Sequence, residues 1–195
     1  MCQGDAISNN SFSGAITVSS TGNTFTNCDF VDDLTINGNN ITLSGGEVNG
    51  TTTINGNNAA EKDNNITNVD FKDAITIDGS KHDFNGQNVT FAGLVTIADD
   101  GAQTILEDVD IYAGLTVQAG GDNIDLIGSN IQDVASFSGE NPEIRTNVFQ
   151  AGVTLSGVNS TLNNIQGNTF NSTLAINESG HQFTTSENNF EGAVT

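Results

Sequence analysis

Three observations predict an all-β fold, a single-chain parallel β-helix (β-solenoid) of about ten coils. An apolar residue recurs every 18–23 residues, a hydroxyl residue follows it at a fixed offset of five positions, and no segment shows helical periodicity. The apolar anchors are Phe12, Phe30, Val48, Phe71, Phe91, Ile111, Ile131, Phe149, Phe170 and Phe190. Their separations are 18, 18, 23, 20, 20, 20, 18, 21 and 20 residues.

Five positions after each anchor stand Thr17, Thr35, Thr53, Thr76, Thr96, Thr116, Ser136, Thr154, Ala175 and Thr195. This column is flanked mostly by apolar residues, as in Ile16–Val18, Leu34–Ile36 and Ile75–Ile77. An apolar–Thr–apolar triplet has the period of a strand that buries two side chains and turns one outward. A looser strand precedes each anchor, visible at Thr24–Thr26, Ile41–Leu43, Asn65–Thr67, Thr104–Leu106 and Ile124–Leu126. Between strands lie turns such as Asn-Gly-Asn-Asn at 37–40 and 55–58, whose residues tolerate positive φ. Stacking at roughly 4.8 Å per coil makes ten coils a rod about 45 Å long, and the crossover preference predicts a right-handed coil.

Composition sets limits on partners. The 195 residues contain four Lys+Arg against 24 Asp+Glu, a formal net charge of −20, which repels nucleic acid and anionic membranes. Partners are expected to be neutral surfaces, cations or the chain itself. A single Pro and continuous repetition read as one β-solenoid domain over residues 1–195, or as a segment of a longer array. No apolar run reaches the roughly 18 residues of a membrane span. Met1 before Cys2 is compatible with a start placed ahead of a lipid-bearing Cys; the alternative is an ordinary thiol.

Two positions before each anchor, Asn10, Cys28, Gly46, Val69, Val89, Val109, Ser129, Asn147, Asn168 and Asn188 are expected to point inward. The three successive Asn read as an internal amide ladder, and Cys28 as a small buried residue.

The phrases Gly-Ala-Ile-Thr-Val (14–18), Gly-Leu-Thr-Val-Gln-Ala-Gly-Gly-Asp-Asn-Ile (114–124) and Asn-Thr-Phe-Thr-Asn-Cys-Asp-Phe (23–30) resemble right-handed β-helices of bacterial surface and secreted proteins. These include filamentous-haemagglutinin-like adhesins and polysaccharide-associated β-helices. The resemblance covers the chain as an architecture; it implies an extracellular or cell-surface location and no particular activity.

Candidate chemistry is sparse. Ser179–His181 is similar to the Gly-His element of polygalacturonase-like enzymes, whose Arg-x-Lys partner is missing. His82 and His181 lie five coils apart, too far for a shared site at coil spacing, and each reads as a turn residue. The expectation is therefore no catalysis. Just before the anchors, Asp29, Glu47 and Asp70 stack in successive coils, with Asp110 two coils on. Opposed like charges are unfavourable, so Ca²⁺ is a candidate ligand, with a solvated acidic face as the alternative. The Asp32-Asp33 and Asp99-Asp100 pairs add further acids. The long separation between Val48 and Phe71 places Glu61, Lys62 and Asp63 in a candidate contact loop.

The leading expectation is a non-enzymatic structural or adhesive rod. Open coil ends at Phe12 and Ile16, and at Phe190 and Val194, are candidates for head-to-tail assembly into filaments. A carbohydrate-binding or carbohydrate-active β-helix is the first rival. Ice binding through the outward Thr column is the second.

Overall fold

The computed structural model describes residues 3–56, 64–85, 88–98, 103–157, 164–177 and 187–195. Each coil carries three short strands, beginning with β1 (Ala6–Ser8), β2 (Ser11–Phe12) and β3 (Ile16–Val18). Equivalent strands of successive coils pair in parallel to build sheets A, B and C. Among the described residues sheet B has ten strands, while sheets A and C have nine each. The count of about ten coils is therefore high, because nine stacked strands are joined by only eight complete turns of chain. The tenth repeat contributes strand Asn189–Phe190 and a lone bridge, Leu174 to Val194, because its Thr column ends at Thr195.

The alternation read in the sequence is the alternation of burial. Leu34 and Ile36, Ile75 and Ile77, and Leu115 and Val117 face inward, while the Thr between each pair remains partly exposed. Each fully buried side chain of this kind contributes roughly 1.5–3 kcal/mol. Anchor rings stack along the axis: Phe12 on Phe30 at 5.1 Å, Phe71 on Phe91 at 5.3 Å, and Phe149 on Phe170 at 5.1 Å between centroids.

Corners are built from residues in the left-handed region. At the corner from sheet A to sheet B, Asn9, Asn27, Gly45, Asn68, Asn88, Asp108, Gly128, Thr146 and Gly167 all have φ between 49° and 78°. At the corner from sheet C to sheet A, Gly4, Gly22, Asn40, Lys81, Gln103, Asn123 and Asn141 lie between 52° and 80°. Asn is the side chain that enters this region with least strain, which gives the many asparagines a backbone role. Differences in repeat length enter mainly at the C-to-A corner. Ile36 to Leu43 spans seven positions, whereas Ile54 to Ile66 spans twelve.

Immediately after most of these left-handed residues the chain turns a side chain inward, as at Cys28, Val69, Asn147 and Asn168, and polar residues there form ladders. Asn147, Asn168 and Asn188 hand hydrogen bonds along the axis. The N–H groups of Ser129, Asn147 and Asn168 donate to the Oδ1 of Asn147, Asn168 and Asn188 at 2.8, 2.9 and 2.9 Å. Their Nδ2 groups donate to the carbonyls of Leu126, Ile144 and Ile165 at 2.7, 2.7 and 2.8 Å. Cys28, in the same column, is buried near the carbonyls of Thr26 and Ile7, with Sγ at 3.5 and 3.6 Å. Asn10 shares the column but is exposed.

Asn168→Ala is expected to lower stability by about 2 kcal/mol, because it leaves the Asn147 N–H buried without a partner and takes one of the hydrogen bonds from the Ile144 carbonyl. Asn10→Ala should stay within about 0.5 kcal/mol. Equilibrium denaturation of the two variants checks this; equal losses would show that the ladder is not a stabilising element.

Candidate functional site

The most regular surface feature is the outer face of sheet C. Cα pairing sets Thr17 against Thr35, Thr35 against Thr53, Thr53 against Thr76, Thr76 against Thr96, and Thr96 against Thr116. Ser136, Thr154 and finally Ala175 continue the line. The rank stays in register because the anchor-to-Thr offset contains no insertion, so the coils from Thr17 to Thr154 turn their hydroxyls out at the same point.

Its neighbouring ranks are joined by side-chain hydrogen bonds at particular coils. Asn55 Nδ2 donates to Asn37 Oδ1 at 2.9 Å, and the Ser138 and Ser156 hydroxyls lie 3.1 Å apart. Asp33 and Asp78 are the charged members of these ranks among the described residues. Asp33 is engaged, since its Oδ1 accepts the Thr51 N–H and hydroxyl, both at 2.9 Å. In a chain of net charge −20 this face is nearly neutral.

The other faces carry the acids. On sheet B, Asp70 pairs with Glu47, and Asp29 Oδ1 accepts the Glu47 N–H at 3.3 Å, so these three stack along the axis. Their charge is answered within the protein. The Thr90 hydroxyl donates to Asp70 at 2.5 Å, Lys72 Nζ lies 3.1 Å from it, and Asn49 donates to Glu47 at 3.3 Å. The Thr90 hydrogen bond, opposed next by burial and then aided by the Lys72 ammonium, holds the Asp70 carboxyl below its usual range. Among the described residues no three His, Cys, Asp or Glu side chains gather closely enough to hold one metal ion.

Sheet A divides along its length. Its first coils present Thr24 and Thr26, Thr42 and Ser44, then Asn65 and Thr67. Later coils present Ile105 and Glu107, Asp125 and Ile127, then Glu143 and Arg145. Asp125 stands opposite Glu143; burial, then the Glu143 charge, push its carboxyl upward against the pull of Arg145. Arg145 Nε is 2.5 Å from Glu143 Oε1. A recess of about 330 Å³ runs beside them, lined by Glu107, Ile127, Arg145, Thr146, Gln166, Gly167 and Glu187. Gln166 donates to Glu187 across it.

The first and last coils hold the residues considered for assembly. Phe12 and Ile16 are partly buried, Phe190 stacks on Phe170 at 5.2 Å, and Val194 is exposed. Cys2, the Glu61–Asp63 loop, Asp99-Asp100 and His181 lie outside the described residues.

His82 is not a turn residue. It opens strand His82–Asn85 with its ring inside the core, in the column of Asn64 and Thr104, which are also buried. Its Nδ1 lies 3.3 Å from Asn64 Nδ2. Burial pushes its imidazole down from 6.5 to about 4; backbone interactions with Gly79 and Gly56 oppose the shift, and Nε2 has no well-aligned partner among the described residues. Sequence reading missed it because an Asn- and Lys-rich neighbourhood looks like a turn. The signal that could have found it is the two-residue spacing from His82 to the buried Phe84.

A histidine whose folded pKa is depressed takes up its proton on unfolding, so its contribution favours the folded state above 6.5 and is lost as pH falls toward 4. Over that window wild type should lose on the order of 3 kcal/mol more than His82→Thr. Denaturation curves collected from neutral to acid pH check this; parallel loss in both proteins would contradict it.

The chain matches no family model, no curated protein and no solved structure.

Proposed function

We propose that this protein is a non-enzymatic structural and adhesive β-solenoid of the cell surface or extracellular space, docking sheet C against a neutral, repeating glycan surface. One observation carries the reading: a nearly neutral face with a hydroxyl rank in register from Thr17 to Thr154, on a molecule of net charge −20. Coils repeat at roughly 4.8 Å, so a partner that also repeats meets the same group many times, and weak contacts add along the rod. Such a face has few charges to desolvate on contact. The acidic faces keep rods apart from one another by repulsion. Placement outside the cell follows the resemblance to bacterial surface β-helices. Ice binding is the second reading, favoured by the same unbroken hydroxyl register.

The experiment is co-sedimentation with insoluble cellulose and chitin. Wild type is expected to adsorb, and the double variant Thr76→Lys, Thr96→Lys to bind at least about tenfold more weakly, because two ammonium groups must then be desolvated at the contact. Thr24→Lys with Thr42→Lys, on sheet A, should adsorb like wild type. Equal adsorption of the sheet C variant would sink the proposal. Thermal hysteresis in wild type that disappears in the same sheet C variant would instead select the ice reading.

A further inference from the structure

We propose that the corner between sheets B and C on three consecutive coils is a binding subsite for a single neutral pyranose ring, with Tyr112 as its stacking platform. Tyr112 is the sole Tyr, the chain has no Trp, and the described Phe rings lie in or against the core. Tyr112 is instead 44% exposed. The backbone places it between Ala92 and Gln132 of adjacent coils: its N–H donates to the Phe91 carbonyl at 2.9 Å, and the Gln132 N–H donates to the Ile111 carbonyl at 2.8 Å. On one side, then, the neighbouring side chain is a methyl group; on the other it is an amide.

Where this corner enters sheet C, Leu94, Gly114 and Val134 occupy one column, as the pairing of Val95 with Leu115 and of Leu115 with Ala135 requires. Leu94 and Val134 are 42% and 54% exposed. Three of the five exposed large apolar side chains among the described residues therefore belong to one corner of successive coils. Between the two aliphatic residues, Gly114 has φ +99° and no side chain; a Cβ there would sit 2.8 Å from the Val134 carbonyl oxygen and 3.7 Å from Leu94 Cδ1. Leu94 and the Val134 backbone therefore close over Gly114, and the column offers a low apolar step flanked by two exposed aliphatic side chains. Asp133 stands at its edge, 3.9 Å from that same Cβ position, with Oδ1 accepting the Val134 N–H at 2.8 Å.

An exposed aromatic ring, a low apolar step and neighbouring carboxylate and amide groups match a sugar, which presents a C–H face and an edge of hydroxyls. Asp133 and the net charge of −20 disfavour an acidic sugar. A folded protein partner would need roughly 800 Å² on this side, more than three side chains supply. The subsite deepens the adhesive reading; it rests on that reading for the class of partner and not for the sheet C face.

With one Tyr and no Trp, the intrinsic emission of the full chain reports directly on residue 112. Titration with soluble cellopentaose, chitopentaose and mannopentaose is expected to give a saturable emission change with at least one of them, and trigalacturonate none. By calorimetry, Tyr112→Ala should bind that sugar at least about tenfold more weakly, and Tyr112→Phe within about twofold of wild type. Both substitutions are at an exposed position, and unchanged melting temperatures confirm that the fold survives. Unchanged emission with all three neutral sugars, or equal affinity in Tyr112→Ala, overturns the subsite. Adsorption to insoluble glycan that persists without any Tyr112 response removes the subsite and leaves the adhesive face. A Tyr112 response without adsorption keeps the subsite and removes the face.

Discussion

Left-handed backbone residues at two corners of the coil, seen throughout the described residues, are the constraint on which the rest of this structure depends. A chain that must leave one sheet and enter the next, within two residues from sheet A to sheet B and about five from sheet C to sheet A, has to turn sharply, and a residue at positive φ does this in one step. The corner from sheet A to sheet B shows it at Asn9, Asn27, Asn68 and Asn88, and the corner from sheet C to sheet A at Asn40, Asn123 and Asn141. Glycine serves at Gly22, Gly45 and Gly128. Because most such residues are followed by one whose side chain points inward, the corners also decide which polar groups enter the core. Asn147 and Asn168 occupy those inward sites and, with Asn188 of the same column, bond the backbone of the neighbouring coils. His82 occupies one too, which is how an ionisable ring comes to be buried between Asn64 and Thr104.

Register carries this constraint to the surface. Insertions are confined to corners before the anchors, so the path from anchor to Thr column is the same length in each coil and the hydroxyls of sheet C superpose. The same stacking on sheet B superposes Asp29, Glu47 and Asp70, where neighbouring Thr, Lys and Asn groups absorb the charge. A solenoid thus sorts chemistry by column. Acids gather on sheet B and the later coils of sheet A, and sheet C stays nearly neutral. One rod then has faces that repel and a face that can approach.

The sequence was most readable where a column is chemically uniform. The anchors and the Thr column fixed two strands per coil and their inward and outward sense, and the structure follows them from Ile16 to Ile176. The third strand was placed within a residue of its position at Ile41–Leu43 and Thr104–Leu106, because apolar and polar residues alternate there as well. The inward Asn147, Asn168 and Asn188 were legible from their fixed offset before the anchors, but the left-handed columns were not, because Asn68, Asp108 and Thr146 share one column without sharing a chemistry. The coil count came out high because an anchor can recur without a complete turn following it, as at Phe190. The corner of Leu94, Tyr112 and Val134 was hidden for a different reason. Its members are far apart in sequence and become neighbours only when coils of equal length stack.

Corner strain can be measured in both directions at once. Thr146 is a β-branched residue held at φ 57°, and Asn68 is an Asn held at 55° in the same column. If left-handed corners set the fold, Thr146→Asn should raise stability and Asn68→Val should lower it, each by about 1–2 kcal/mol. Equilibrium denaturation of the two variants against wild type decides the matter. Opposite shifts are the predicted result; loss of stability in both, or no change in either, would contradict it.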